Sequence, residues 1–97
     1  MTLQPLAPQA AETLATLALA WLVKDQDLFM VFLGATGAGL EDVHAGAADP
    51  VFLGFVLDFM LSREDDLMAF CAELGVKPDL PVRARAALPG GQEVNWT

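Results

Sequence analysis

Covalent catalysis needs a nucleophile and a base within its reach. The chain offers one cysteine, Cys71, and one histidine, His44. Leu67 and Leu74 lie one helical turn either side of Cys71, so a helix here turns the thiol into an apolar face. Burial in such a face raises a thiol pKa and leaves it inert, so Cys71 is expected in the core. His44 stands in a short segment beside Glu41, where a surface position is the plain reading. A zinc site wants several Cys or His ligands at close spacing, and one of each does not supply them. Lys24-Asp25-Gln26-Asp27 is far too short for a calcium loop of about twelve residues. Glu64-Asp65-Asp66 reads as a first helical turn, where negative charge is favoured. Gly34-Ala35-Thr36-Gly37-Ala38-Gly39 has no Lys-Ser/Thr after it and no strand before it, so it is a helix stop rather than a phosphate loop. No two carboxylates stand in environments different enough to divide into acid and base. The expectation is a protein that is not an enzyme and holds no metal or cofactor.

Two patterns could bind a macromolecule. Cys71-Ala72-Glu73-Leu74-Gly75-Val76-Lys77-Pro78, followed by Val82-Arg83-Ala84-Arg85, resembles the turn and second helix of a helix-turn-helix. Lys77, Arg83 and Arg85 would be its phosphate contacts. Against it, the second helix starts at Asp79, Pro81 stiffens the end that would enter the groove, and the net charge is −8. Such a charge repels phosphate backbones. The plainer role of the arginines is to neutralise nearby carboxylates and the helix C-terminus. The second pattern is Leu28–Leu40, which carries no charge at all. Met30, Val31, Gly34 and Ala35 would face outward there and form an apolar surface for a protein partner or a second copy. The alternative is burial of that side beneath helix three or the C-terminal tail. A third reading, a carrier of a small apolar ligand between two halves, rests on four methionines and six phenylalanines.

The elements that position these residues are helices. Residues 1–8 hold Pro5 and Pro8 and read as an extended, flexible lead-in, with Pro8 suited to a first helical turn. From Gln9 to Lys24, Leu14, Leu17, Ala18, Trp21 and Leu22 mark one helical face. Asp25 caps a second helix that stops at Gly37. A short third helix covers about Leu40–Ala48. Asp49 as N-cap and Pro50 at the first helical position open the fourth, Pro50–Leu61. That helix is apolar nearly all round and belongs at the centre, Phe55 included, with Val51, Gly54 and Asp58 as its narrow solvent strip. Ser62 with Asp65 forms a weak capping box for helix five, which stops at Gly75. Helix six spans about Asp79–Leu88 and ends at Pro89-Gly90-Gly91. Gln92–Thr97, with Trp96, reads as a flexible tail.

The chain is also written twice. Laid over itself, Leu14 falls on Phe52, Leu17 on Phe55, Ala18 on Val56, Trp21 on Phe59 and Leu22 on Met60. Phe29 then falls on Leu67, Phe32 on Phe70, Leu33 on Cys71 and Gly37 on Gly75. Two units are too few for a solenoid but can close face to face with pseudo-twofold symmetry. The predicted fold is therefore an all-α compact bundle of about six helices in two three-helix units. A chain of 97 residues with 55% hydrophobic and 19% charged residues suits one such domain. One cysteine allows no internal disulfide, and no uncharged run in the body approaches the ~20 residues of a spanning helix. The first cation is Lys24, so no basic region precedes an apolar stretch as in a secretory signal. A cytoplasmic protein without membrane contact is expected.

Over about residues 9–91 the chain resembles a family of small bacterial proteins catalogued as domain of unknown function 3572. The resemblance rests on Ala11-Glu12, Ala18-Leu19-Ala20-Trp21-Leu22, Phe32-Leu33, Thr36-Gly37 and Ala48-Asp49-Pro50. Val56-Leu57-Asp58-Phe59, Ala69-Phe70-Cys71 and Leu88-Pro89-Gly90-Gly91 complete it. These are packing and capping residues. The resemblance implies a helical fold and supplies no activity.

Overall fold

A computed structural model describes residues 6–90. They form six helices: α1 (Pro8–Lys24), α2 (Gln26–Thr36), α3 (Leu40–Gly46), α4 (Pro50–Leu61), α5 (Glu64–Leu74) and α6 (Asp79–Ala86). Among the described residues there is no strand. The tail Gln92–Thr97 lies outside them. The lead-in is held at its inner end: Leu6 is half-buried, and its N–H donates to Arg83 O at 3.2 Å.

Most predicted helix ends form as the local chemistry requires. Asp25 accepts from Leu28 N–H at 3.1 Å, and Asp49 accepts from Val51 N–H at 3.0 Å. Each satisfies one donor that a helix start leaves open. Gly37 and Gly75 close α2 and α5 with φ of 74° and 73°. Only glycine takes that conformation without strain. Ser62 departs from expectation. Its hydroxyl turns back and donates to Phe59 O at 2.7 Å, so Arg63 becomes the N-cap position and pairs with Asp66 instead. The capping box is absent because the C-terminal carbonyls of α4 compete for the same serine.

α4 is the hub and packs against all five other helices. Leu53, Val56, Leu57, Phe59 and Met60 are buried. Its solvent strip differs from the predicted one. Gly54 is covered: a Cβ there would fall 2.7 Å from an Arg85 guanidinium nitrogen. Arg85 lies across that glycine to reach Asp58, at 2.6 Å and 3.1 Å, and Pro89 O at 2.9 Å. The open strip is instead Val51, Phe55 and Asp58, and Phe55 is 48% exposed. The buried face of α1 is likewise rotated from the predicted one. It comprises Ala11, Leu14, Ala15, Ala18, Leu19 and Leu22, whereas Leu17 is 46% exposed. α1 packs on both α4 and α6, and fully buried Ala11, Ala15 and Ala18 are small enough to let neighbouring helices approach closely.

The duplication is visible in the packing. Trp21 of the first half meets Phe70 of the second edge-on, with centroids 5.8 Å apart at 67°. Phe59 of the second half meets Phe32 of the first in the same way, at 5.3 Å and 78°. These are the same two aligned positions with the halves exchanged, as a pseudo-twofold axis requires. Leu17 and Phe55, also aligned, are exposed to nearly the same degree. The symmetry is incomplete, because α6 packs on both α1 and α4 while α3 rests chiefly on α4.

Candidate functional site

The structure disperses the residues that carry chemistry. Cys71 is 2% exposed and sits in the core between Leu67 and Leu74. Burial pushes its thiol pKa up, and the charge of Asp79 adds to the shift. Less thiolate forms at neutral pH than on a free cysteine, and reagent must wait for local opening. A thiol reagent should therefore label the native protein far more slowly than the urea-unfolded chain. Equal rates in the two states would refute the core assignment. His44 is exposed on α3. Among the described residues, no three of His, Cys, Asp and Glu converge as metal ligands would.

The cations of the α5–α6 segment divide. Arg85 is bound to Asp58 and Pro89 O, with its side chain only 14% exposed. Arg83 stands 4.0 Å from Asp79, and Lys77 is exposed. α6 packs chiefly on α1 and α4 rather than crossing α5 as a recognition helix crosses its partner. Of the three cations a helix-turn-helix would need, Arg85 is therefore committed inside the fold.

Met30, Val31, Gly34 and Ala35 are all exposed on α2, Met30 at 61% and Val31 at 45%. They follow from the geometry of a helix that buries Leu28 and Phe32 on its other side. Val31 and Ala35 are one turn apart on one stripe, and Met30 and Gly34 form the stripe beside it. The flanking carboxylates Asp25, Asp27, Glu41 and Asp42 are exposed too. The α5 surface is different. Met68, the counterpart of Met30, is exposed, but Glu73 stands where Ala35 stands in α2. Glu73 accepts from Trp21 Nε1 at 3.1 Å and from Lys24 Nζ at 3.3 Å. These two donors hold its carboxyl below the usual range, the indole bond contributing most.

Beside Ala35 the surface opens into a cleft of about 350 Å³ between the end of α2 and α4, lined by Ala35, Thr36, Phe55, Asp58, Phe59 and Ser62. Sequence reasoning missed this cleft because it placed Phe55 in the core. The signal was present in the alignment of the halves, where the smaller Phe59, Ser62 and Ala35 oppose Trp21, Lys24 and Glu73.

A family model described as a protein of unknown function, DUF3572, matches residues 8–91. The chain belongs to this family. The match runs from the first residue of α1 to just past the glycine turn that follows α6, so the DUF3572 domain comprises all six helices. Comparison with curated proteins and with solved structures found no match. No single helix among the described residues is long and apolar enough to cross a membrane. α3 and α4 pass such a test only as a pair bent by 116°, and α4 is the centre of the bundle.

Proposed function

We propose that this DUF3572 protein is a non-enzymatic docking module that receives a partner helix on the outer side of α2. The reading rests on the exposure of Met30, Val31, Gly34 and Ala35 along a segment with no charge from Leu28 to Leu40. A monomer gains nothing in solubility from such a strip, and the aligned α5 carries Glu64, Asp65, Asp66 and Glu73, with Arg63 at its N-cap. The partner that fits has an apolar helical face and a basic rim, to match the carboxylates beside the strip and the net charge of −8. Methionine at the centre lets the surface adapt to the ridges laid on it. The buried, free thiol of Cys71 is compatible with a reducing, cytoplasmic setting.

Val31→Asp tests this reading. It should shift the unfolding midpoint little, because Val31 is half-exposed, yet abolish partner capture or self-association. Leu17→Asp is the matched control on an apolar position of similar exposure away from α2. Crosslinked capture from native lysate, with sedimentation of the purified chain, gives the readout. Val31→Asp that captures like the parent, or one that unfolds the domain, removes the basis for the proposal.

A further inference from the structure

The two halves present equivalent surface positions, and only one of them is filled. Between α1 and α5, the Trp21 indole packs on Phe70 while Glu73 and Lys24 close over its edge. Between α4 and α2, Phe32 stands for Phe70, but the other three side chains are smaller: Phe59 stands for Trp21, Ala35 for Glu73 and Ser62 for Lys24. The missing atoms leave the cleft of about 350 Å³. A site at the small end of ligand-pocket sizes takes one ring system rather than an extended molecule.

Its chemistry is one-sided. Phe55 and Phe59 supply aromatic walls. Ser62 Oγ donates inward to Phe59 O at 2.7 Å, and Thr36 Oγ1 donates inward to Phe32 O at 2.8 Å while accepting from Ala38 N–H at 3.3 Å. Both hydroxyls therefore offer only lone pairs to the cleft. Asp58 is held by Arg85, but each of its oxygens accepts one bond and retains a second acceptor site. Aromatic walls with a rim of acceptors suit a planar apolar group that carries an N–H at its edge. Trp21 shows the same combination in the filled position, where its N–H meets a carboxylate.

We infer that this cleft is the anchor pocket for a tryptophan side chain of the partner helix. The inference rests on the docking reading above and names the residue the partner inserts. Ala35 belongs to both the exposed strip and the cleft, so a helix laid along Val31 can place one side chain directly into it. Tryptophan is also among the residues that dominate binding energy when seated in such pockets.

The test is a titration of the full chain with N-acetyl-tryptophanamide, followed by two-dimensional amide NMR, with free indole as a second arm. Saturable shifts centred on Ala35, Thr36, Asp58, Phe59 and Ser62 are expected for the blocked tryptophan, with weak affinity on the order of 1 mM for so few atoms. Ala35→Glu copies the filled half and should weaken binding at least tenfold, and Ala35→Leu should do the same without adding charge. Ala35 is exposed, so both variants should keep the parent unfolding midpoint. Val31→Asp should leave amide binding intact while removing partner capture, so the two readings fail separately. No saturation, or unchanged affinity in both Ala35 variants, overturns the anchor pocket. Binding of indole without the blocked tryptophan reassigns the cleft to a free small molecule. Binding that emerges only after deletion of residues 92–97 reassigns it to Trp96 of this chain.

Discussion

Phe32→Ala is expected to destabilise the domain by about 3–5 kcal/mol, a large part of what a small domain possesses. Phe32 is fully buried, and its ring meets Phe29 at 6.3 Å, Phe52 at 6.0 Å and Phe59 at 5.3 Å. It is the contact through which α2 is fastened to α4. Truncation leaves a cavity among rings whose backbones are fixed by two packed helices, α2 and α4, so collapse around it is limited. The same change at Phe55 should cost about 1 kcal/mol, since a half-exposed ring forfeits only part of its transfer energy and leaves no enclosed void. Urea unfolding followed by circular dichroism separates the two. Equal midpoints for Phe32→Ala and Phe55→Ala would place Phe55 back in the core and overturn the orientation of α4 described above.

Gly46→Ala should destabilise by about 1–3 kcal/mol, although alanine is the better helix former. Gly46 is buried at the last position of α3, against the first turn of α4. A Cβ there falls 2.5 Å from Phe52 Cγ and 2.9 Å from Phe52 Cβ. A ring can rotate, but a Cβ moves only with its backbone, so the start of α4 must shift. Because Phe52 also packs edge-on against Phe32, the shift reaches the core. A double-mutant cycle locates the cause. With Phe52→Gly already present, which removes the Cβ as well as the ring, the penalty of Gly46→Ala should fall by more than half. An undiminished penalty would mean that backbone conformation, rather than the Phe52 side chain, requires glycine.

Much of this fold was legible because it is written in local chemistry. Asp25, Gly37, Asp49-Pro50 and Gly75 fix their helix ends through hydrogen bonds and φ values that depend on a few neighbouring residues. What could not be read locally was rotation of a helix about its own axis. α4 is apolar on every side, so periodicity cannot say which side faces out, and the position of Arg85 decides it. Its guanidinium covers Gly54 and turns Phe55 to the surface, and Arg85 lies far along the chain from both. α1 misled for the opposite reason. Leu17 outweighs alanine on any hydrophobic scale, yet Ala11, Ala15 and Ala18 mark the buried side because close helix approach rewards small residues. The candidate surface divided in the same way. The missing charges marked Met30 and Val31 but left burial and exposure both open, and the cleft beside Ala35 emerged only once α4 had a fixed orientation.

The paired rings across the pseudo-twofold axis also bear on how the protein is made. Trp21 waits for Phe70, and Phe32 waits for Phe59. Translation at about 5–20 residues per second delivers those partners seconds after the first half has left the ribosome. Throughout that interval α1 and α2 have nothing to cover their inner faces, and the uncharged stretch from Leu28 to Leu40 is uncovered on both sides. The nascent first half is therefore the aggregation-prone stage in the life of this chain. Slowing elongation between Ala48 and Phe70 should lower the soluble yield without altering the finished molecule.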